Sequence, residues 1–280
     1  MNIEKVVVFG TGLMGTGISQ VTAINGMKVL MFSNSLDSSN RFISYLQDNM
    51  KKKRITKEDY EKILKNVSFY SYSQLDMLVD VDLIIESTHE NYEYKKSLFS
   101  KLNDYINETT IVASNTSTIG ITKMASEINK PERFIGLHFF SPVPMMKLVE
   151  IVKGYFSTED VLKKAKEYCD LIGKESVIVK DTPGFVFNRL FSGYIGEAIS
   201  LLDEVDVSPE AIDSMIKHAI GSKIGPLKLA DSIGIDVIKK SNDQLYDELK
   251  EQRFCINRIN RMVYAKLFGK KTKQGFYNYK

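Results

Sequence analysis

Short apolar runs and amphipathic stretches alternate along the first two-thirds of the chain. Eight of the runs are rich in β-branched or aromatic residues, which is typical of buried strands. The predicted strands are Val6–Phe9, Val29–Phe32, Val67–Tyr70, Leu83–Ile85, Ile111–Ala113, Phe134–Leu137, Leu148–Val152 and Val177–Val179. Helical patterns lie between several of them, for example at Met14–Ile24 and Glu93–Tyr105. Because strands and helices alternate, we expect a mainly parallel sheet covered by helices on both faces.

The pattern changes at Asp181-Thr182-Pro183-Gly184, a cluster of residues that interrupts regular structure. Helical periodicity alone follows, from Phe185 to Phe268. Ser208 is expected to cap a helix with proline at its first position, and Gly269 is expected to close the last helix. We therefore predict an α/β domain over residues 1–182 and an all-helical domain over residues 183–280.

Composition narrows the class of protein. The 280 residues are 43% hydrophobic and 26% charged, as in ordinary globular proteins. Basic and acidic residues are nearly equal in number, and the resulting formal net charge of +3 is too small for a general nucleic-acid binder. Two cysteines cannot form a disulfide framework, no Cys/His spacing suggests a metal site, and no apolar run is long enough to cross a bilayer. We expect a cytoplasmic protein without nucleic-acid, membrane or metal partners.

The segment Gly10-Thr11-Gly12-Leu13-Met14-Gly15 follows the first predicted strand and opens a helix. In that context the glycines are typical of a Rossmann-like dinucleotide-binding turn, because they permit a tight turn, close approach to a pyrophosphate and helix–strand packing. The helix start adds unpaired N–H groups and a positive dipole end. The residues expected to bind NAD or NADP here are Gly10, Gly12, Leu13, Met14 and Gly15.

The second predicted strand ends in Ser33-Asn34-Ser35, where NAD-binding domains usually carry an acid that bonds the adenosine ribose. An acidic residue at position 33 would repel the 2′-phosphate of NADPH, whereas the hydroxyl of Ser33 and the amide of Asn34 would not. One hypothesis is that NADPH is accepted, with Arg41 as a phosphate partner. The alternative is that Asn34 or Asp37 contacts the ribose and NADH is preferred.

His138 follows a predicted strand, and an irregular Pro-x-Pro turn leads from it to the next strand, which contains Glu150. This order predicts that Glu150 returns towards His138. An imidazole held by a carboxylate is a standard general acid–base pair. Taken alone, a histidine beside two phenylalanines is more often a packed core residue.

Several motifs resemble the short-chain L-3-hydroxyacyl-CoA dehydrogenases, and among them the bacterial 3-hydroxybutyryl-CoA dehydrogenases. The resemblance is collinear over nearly the whole chain. The motifs that carry it are Gly10–Gly15, Glu86–Asn91, Ala113–Ser117, His138–Glu150, Asp181–Arg189 and Gly275–Tyr277.

The resemblance implies roles for the matching residues. His138 would be the catalytic acid–base and Glu150 its orienting carboxylate, while Ser117 and Asn188 would hydrogen-bond the substrate around the reacting carbon. The cofactor-binding set is extended by Glu90, Lys95 and Asn115. Ser141 stands where the family usually has asparagine, and it is included among the substrate-binding residues. The family's helical domain commonly forms a dimer, so a homodimer is expected.

A basic run, Lys51-Lys52-Lys53-Arg54, ends the helical stretch after Ser38. The family places a helical tail near coenzyme A, so Lys51 and Lys52 are candidates for binding its phosphates. Lysines at an exposed helix end are more often solvated partners of the helix dipole.

The leading hypothesis is an NAD(P)-dependent dehydrogenase that interconverts (S)-3-hydroxybutyryl-CoA and acetoacetyl-CoA, in fatty-acid or butanoate metabolism. One alternative keeps this chemistry and changes the substrate to an acyl group on a carrier protein, or to a free sugar acid. Another is a catalytically idle paralogue that binds nucleotide.

Overall fold

The computed structural model describes residues 3–35 and 37–280. The chain divides into two compact units, Met1–Asp181 and Thr182–Lys280. No helix in these described ranges has both the length and the apolar character needed to span a membrane.

The first unit is built on one eight-stranded sheet with the order β3-β2-β1-β4-β5-β6-β7-β8. All neighbouring strands are parallel except β6 and β7, which run antiparallel. The mainly parallel sheet expected from the sequence is confirmed, and each of the eight predicted strands is present. The strands are β1 (Lys5–Phe9), β2 (Lys28–Phe32), β3 (Val67–Tyr70), β4 (Leu83–Glu86), β5 (Ile111–Ser114), β6 (Phe134–Phe139), β7 (Leu148–Lys153) and β8 (Glu175–Lys180).

Both faces of this sheet are covered, since Val6–Phe9 of β1, whose successive side chains point to opposite faces, are all fully buried. The helices of the first unit are α1 (Leu13–Ile24), α2 (Ser38–Lys51), α3 (Lys57–Asn66), α4 (Tyr92–Leu102), α5 (Ile121–Ala125) and α6 (Glu159–Leu171), with 3-10 turns at Leu75–Met77 and Pro131–Arg133. The predicted end of α4 at Tyr105 is wrong. The Asn103 side chain donates to the carbonyl of Glu127 and accepts from the amide of Asn129, and these bonds hold Asn103 at the helix end.

The second unit is helical, as predicted. Its helices are α7 (Phe187–Glu204), α8 (Pro209–Ile220), α9 (Pro226–Ile233), α10 (Ile235–Leu249) and α11 (Asn257–Tyr264), with 3-10 turns at Gln252–Phe254 and Lys270–Thr272. The Ser208 cap is confirmed, because its side chain accepts the amide of Ala211 at 3.2 Å.

Gly269 does not close the last helix, so that prediction is wrong. Helix α11 ends in a Schellman motif with Lys266 in the left-handed region, where the amide of Leu267 bonds the carbonyl of Met262. Gly269 serves a later turn with φ of +95°, where a Cβ would lie 2.3 Å from the carbonyl oxygen of Asp231.

Candidate active site

The glycine turn connects β1 to α1 and offers a cradle for phosphate. Gly10 has φ of +103°, and a Cβ there would lie 2.3 Å from the carbonyl oxygen of Ser87; a Cβ on Gly15 would lie 2.0 Å from the carbonyl oxygen of Gly10. These two glycines are therefore required by packing. A Cβ on Gly12 would meet no atom within 4 Å, so open space remains at the N-terminus of α1. This arrangement fits the pyrophosphate of a dinucleotide. Leu13 is exposed and Met14 half-buried beside it.

At the end of β2, the Ser33 hydroxyl connects the glycine turn after β1 with the backbone that follows β2. It accepts hydrogen bonds from Thr11 Oγ1 and from the amide of Ser35, each at 3.1 Å. Asn34 and Arg41 are exposed. Asp37 Oδ1 accepts from the side-chain amide of Asn40 at 2.9 Å.

His138 and Glu150 lie directly opposite each other on β6 and β7. His138 Nδ1 and Glu150 Oε2 are 2.7 Å apart, with side-chain exposures of 7% and 3%. The predicted approach of the two residues is confirmed. The expectation that His138 follows its strand is wrong, because β6 continues to Phe139 through the antiparallel pairing with β7. Directly opposite residues of an antiparallel pair share one face, which places the two side chains together.

The pair is well arranged for acid–base chemistry. A carboxylate on Nδ1 selects the tautomer with the proton on Nδ1 and stabilises the imidazolium. Burial strengthens this interaction, since little water competes for it. The ring of Phe140 lies beside the imidazole, with 4.6 Å between ring centroids.

The loop between β6 and β7 is fastened by Lys174, which sequence reasoning missed. The buried ammonium of Lys174 donates to the carbonyls of Val143 at 2.5 Å and Met146 at 2.7 Å. Burial lowers the pKa of this lysine. Ser141 is exposed at the start of the same loop.

Asn115 ties together the carboxyl ends of three neighbouring strands. Its side-chain oxygen accepts the amide of Phe139 at 2.9 Å, and its side-chain nitrogen donates to Ser87 Oγ at 3.3 Å. Ser117, two residues further, is half-buried. The carboxyl ends of parallel strands are where dinucleotide-binding domains bind their ligands, so these residues stand at the expected edge.

Three charged residues form a compact cluster at this edge. Lys95 Nζ donates to both carboxylate oxygens of Glu86, at 2.7 and 2.6 Å, and lies 3.4 Å from Glu90 Oε2. Glu86 and Lys95 are almost completely buried. The sequence indicated Glu90 and Lys95 as site residues but not Glu86. A glutamate at the end of an otherwise apolar strand is nevertheless a sequence signal for a charged site.

Comparison with known proteins agrees with this geometry. A family model described as "3-hydroxyacyl-CoA dehydrogenase, NAD binding domain" matches residues 5–182, and one described as "3-hydroxyacyl-CoA dehydrogenase, C-terminal domain" matches residues 184–279. The chain belongs to the 3-hydroxyacyl-CoA dehydrogenase family. The resemblance seen in the sequence is thereby confirmed, and the protein is an oxidoreductase with an NAD-binding domain of the Rossmann type.

Individual relatives match over nearly their whole length. A 3-hydroxybutyryl-CoA dehydrogenase of Clostridioides difficile is 37% identical over 281 residues, covering 98% of this chain and 99% of the relative. The mitochondrial hydroxyacyl-coenzyme A dehydrogenase of Rattus norvegicus is 38% identical over 289 residues, covering 99% and 92%. The crystal structure of the (S)-3-hydroxybutyryl-CoA dehydrogenase of Ralstonia eutropha superposes with a TM-score of 0.92 at 35% identity, covering 100% of both chains.

The remaining predicted site residues lie elsewhere in the two units. Asn188 belongs to the second unit, where it is half-buried in the first turn of α7. Lys51 and Lys52 are exposed at the C-terminal end of α2, with Lys51 Nζ 3.8 Å from Asp48 Oδ1. Among residues 3–35 and 37–280, no three His, Cys, Asp or Glu side chains are grouped so that they could hold a metal ion.

Proposed function

We propose that this protein interconverts (S)-3-hydroxybutyryl-CoA and acetoacetyl-CoA in fatty-acid or butanoate metabolism. The observation that carries the proposal is the buried His138–Glu150 pair, which lies in an NAD-binding domain of the 3-hydroxyacyl-CoA dehydrogenase family. Relatives named 3-hydroxybutyryl-CoA dehydrogenase support the substrate.

His138 moves the proton of the reaction. A bound nicotinamide cofactor would supply the hydride chemistry, as acceptor of a hydride from C3 of the hydroxyacyl chain in oxidation and as its donor in reduction. Because Nδ1 is engaged by Glu150, we assign the proton transfer to Nε2 of His138. In oxidation, Nε2 takes the C3 hydroxyl proton as the hydride departs, and the C=O bond forms. In reduction, the imidazolium gives the same proton to the developing alkoxide. Glu150 offsets the positive charge that the ring gains.

Ser117 and Asn188 are the polar residues that we assign to the substrate oxygen. Hydrogen bonds to an oxygen stabilise it most when it carries negative charge, so such donors lower the barrier selectively. Ser117 follows β5, and Asn188 lies in the first turn of α7.

Both nicotinamide cofactors are part of the proposal. The match to an NAD-binding domain supports NAD(H), and Ser33 in place of an acid supports acceptance of NADPH as well. The test compares kcat/KM for NADH and NADPH in the wild type and in Ser33→Asp. We expect activity with both cofactors in the wild type and loss of the NADPH activity in the variant, because a carboxylate repels the 2′-phosphate. A wild type that turns over NADH alone would assign the ribose contact to Asn34 or Asp37.

We propose that the acyl chain is carried as a thioester of coenzyme A, with Lys51 and Lys52 near the phosphates of coenzyme A. Exposed lysines interact with phosphate mainly as point charges. We expect Lys51→Ala/Lys52→Ala to raise KM for acetoacetyl-CoA about two- to tenfold, with kcat kept. KM for the truncated thioester acetoacetyl-pantetheine should not change. A carrier-protein substrate would show itself as higher kcat/KM for the acylated carrier protein than for acetoacetyl-CoA.

We further propose a homodimer formed through the helical unit. A groove of about 710 Å³ runs along α7, and the side chain of Leu190 on its rim is 70% exposed. Exposed apolar surface beside a groove is typical of protein contacts. Sedimentation analysis of the wild type and Leu190→Arg tests this proposal, and a wild-type monomer would exclude it.

We also place the protein in the cytoplasm, because both cysteines are free thiols, as in a reducing compartment.

The decisive experiment follows the absorbance of reduced nicotinamide with acetoacetyl-CoA. Oxidation of NADH or NADPH by the purified protein is the expected outcome. Failure with both cofactors, from protein that circular dichroism shows to be folded, would favour a carrier-tethered substrate or an idle paralogue.

A further inference from the structure

The β6–β7 loop, residues 140–147, connects the two strands of the acid–base pair and is bound by a buried lysine. Lys174 Nζ donates to the main-chain carbonyls of Val143 at 2.5 Å and Met146 at 2.7 Å. The residue is 7% exposed. Both acceptors are neutral carbonyls, so charge-assisted hydrogen bonds to the loop stabilise the ammonium.

The main chain of Lys174 is itself fixed at the end of α6. Gly173 has a φ of +69°, and its amide bonds the carbonyl of Asp170 at 3.0 Å. The amide of Lys174 bonds the carbonyl of Cys169 at 2.8 Å. These two bonds form a Schellman motif, which satisfies carbonyls at the helix end. The side chain of Lys174 therefore extends from a fixed point towards the loop.

The same loop packs against α1, the helix that follows the glycine turn. A Cβ on Gly17 would lie 2.8 Å from Val143 Cβ and 3.4 Å from Pro144 Cδ. Because the first distance is too short for two carbon atoms, only glycine at position 17 lets the loop approach α1 so closely. Val143 is 2% exposed. Its carbonyl is held by Lys174 and its side chain rests on Gly17.

This contact connects two elements that the reaction needs at a fixed distance. Helix α1 begins at the glycine turn, which offers the phosphate cradle, and the β6–β7 loop begins two residues after His138. Reacting atoms must come within about 3–3.5 Å of each other before the chemical step. The distance between α1 and the strand of His138 therefore affects the rate of hydride and proton transfer.

We propose that Lys174 is a positioning residue, which holds the β6–β7 loop against Gly17 and thereby sets the position of His138 relative to a dinucleotide on α1. The inference rests on the proposed function, because that function assigns the proton transfer to His138. Main-chain pairing fixes His138 against Glu150, and the Lys174 bonds fix this part of the sheet against α1.

The first test compares Lys174→Met with the control Lys166→Met, which removes a lysine of α6 whose side chain is 53% exposed. Methionine fills a similar volume but cannot donate to the two carbonyls. We expect kcat for acetoacetyl-CoA to fall about 10- to 100-fold in Lys174→Met, because a misplacement of about 1 Å can cost about 100-fold. The Kd of NADH, measured by fluorescence titration, should stay within about twofold of the wild type, since the glycine turn is unchanged.

The control variant should keep both values. A Kd of NADH raised tenfold or more in Lys174→Met, with kcat kept, would overturn the inference, because it would assign the lysine to cofactor binding.

Gly17→Ala displaces the loop from the side of α1 and leaves Lys174 in place. Alanine is a better helix former than glycine, so a loss of activity would come from the displaced loop. We expect kcat to fall in this variant as well. Because both substitutions act on one loop, Gly17→Ala/Lys174→Met should lose less than the product of the two single losses. Losses that multiply in full would show independent effects and overturn the inference.

Hydrogen exchange gives a readout that does not depend on activity. The amides of Met145 and Met146 bond the carbonyl of Pro142 within the loop, at 2.9 and 3.0 Å. In Lys174→Met these two amides should exchange faster than in the wild type, whereas the amides of β1 in the middle of the sheet should keep their rates. Unchanged exchange in the loop, or faster exchange throughout the sheet, would contradict the proposed role.

Failure of this inference is distinguishable from failure of the proposed function. A wild type that does not reduce acetoacetyl-CoA would contradict the proposed function. An active wild type with an equally active Lys174→Met would contradict only the positioning role. If Lys174→Met does not fold, Gly17→Ala carries the test by itself, and full kcat in that variant would overturn the inference.

Discussion

His138 and Glu150 are register partners on the antiparallel strands β6 and β7, and their Nδ1 and Oε2 atoms lie 2.7 Å apart. β6 and β7 are the only antiparallel neighbours among the described strands of the sheet. The reversal brings two residues that are twelve positions apart in the chain onto one face. The main-chain hydrogen bonds of the sheet therefore hold the two residues of the acid–base pair in place. Strands position side chains more rigidly than a loop does.

Substitution of His138 tests the proton transfer. We expect His138→Gln to reduce kcat for acetoacetyl-CoA by about 10²- to 10⁴-fold, the usual contribution of a general acid or base. The Kd of NADH should stay close to that of the wild type. His218→Gln is the matched control, because His218 is exposed on α8 and its Nδ1 bonds the carbonyl of Ser214. Near-normal turnover of His138→Gln would end the assignment.

Substitution of Glu150 separates orientation from charge. Glu150→Gln keeps the size of the side chain and an acceptor oxygen but removes the charge that stabilises the imidazolium. We expect kcat to fall by at least about tenfold, while substrate KM changes little, because the charge matters most in the transition state. Steady-state kinetics and circular dichroism together check this prediction. A large rise in KM with kcat unchanged would argue that Glu150 serves ground-state binding.

The Glu90 carboxylate predicts a pH dependence of stability. Burial opposes its ionisation, but Lys95 and the bonds from Thr116, Thr118 and Ser117 outweigh burial and lower the pKa below 4.5. A lowered pKa in the folded state means that the ionised group stabilises the fold above its ordinary pKa. That contribution is lost as the pH falls through the folded-state pKa. The difference in unfolding free energy between the wild type and Glu90→Gln should thus be larger at about pH 7 than at about pH 3 in urea titrations. An equal difference at both pH values would contradict this.

The two cysteines should differ in reactivity. Cys169 is buried in α6, and burial raises the pKa of its thiol to about 12. Cys255 is exposed. Because the thiolate is the reactive form, Cys255 should react with a thiol reagent in the native protein and Cys169 only after denaturation. Cys255→Ser should abolish the native reaction. Fast labelling of Cys169 in that variant would show that α6 opens readily.

The C-terminal segment should contribute to the stability of the helical unit. The Tyr277 hydroxyl donates to Asp213 Oδ2 at 2.7 Å, and Asp213 is buried. Tyr277→Phe leaves that carboxylate with one donor fewer, so we expect a loss of about 1–3 kcal/mol in the free energy of unfolding. Chemical denaturation checks this value. Tyr264→Phe is the control, since Tyr264 is 81% exposed; equal losses in both variants would point to a general effect of removing a hydroxyl.

Much of the fold was predictable because it depends on local patterns. The apolar runs at β1, β2 and β4 are too short for helices and too apolar for surface segments, so burial as strands is the remaining solution. The Gly10–Gly15 turn was predictable for a similar reason, since a positive φ and the close approach to Ser87 tolerate only glycine. The end of α11 was not, because Lys266 there adopts the left-handed conformation usually filled by glycine.

The order of strands and helices, the dinucleotide turn and the motifs around His138 were determined by the sequence alone, since each depends on residues adjacent in the chain. The tertiary structure decided which charges meet. Nothing in the linear pattern shows that Lys174 reaches the carbonyls of Val143 and Met146, or that Lys95 lies between Glu86 and Glu90. The free energy of a buried charge depends on partners brought from other elements, and those distances exist only once the sheet and its connections are packed.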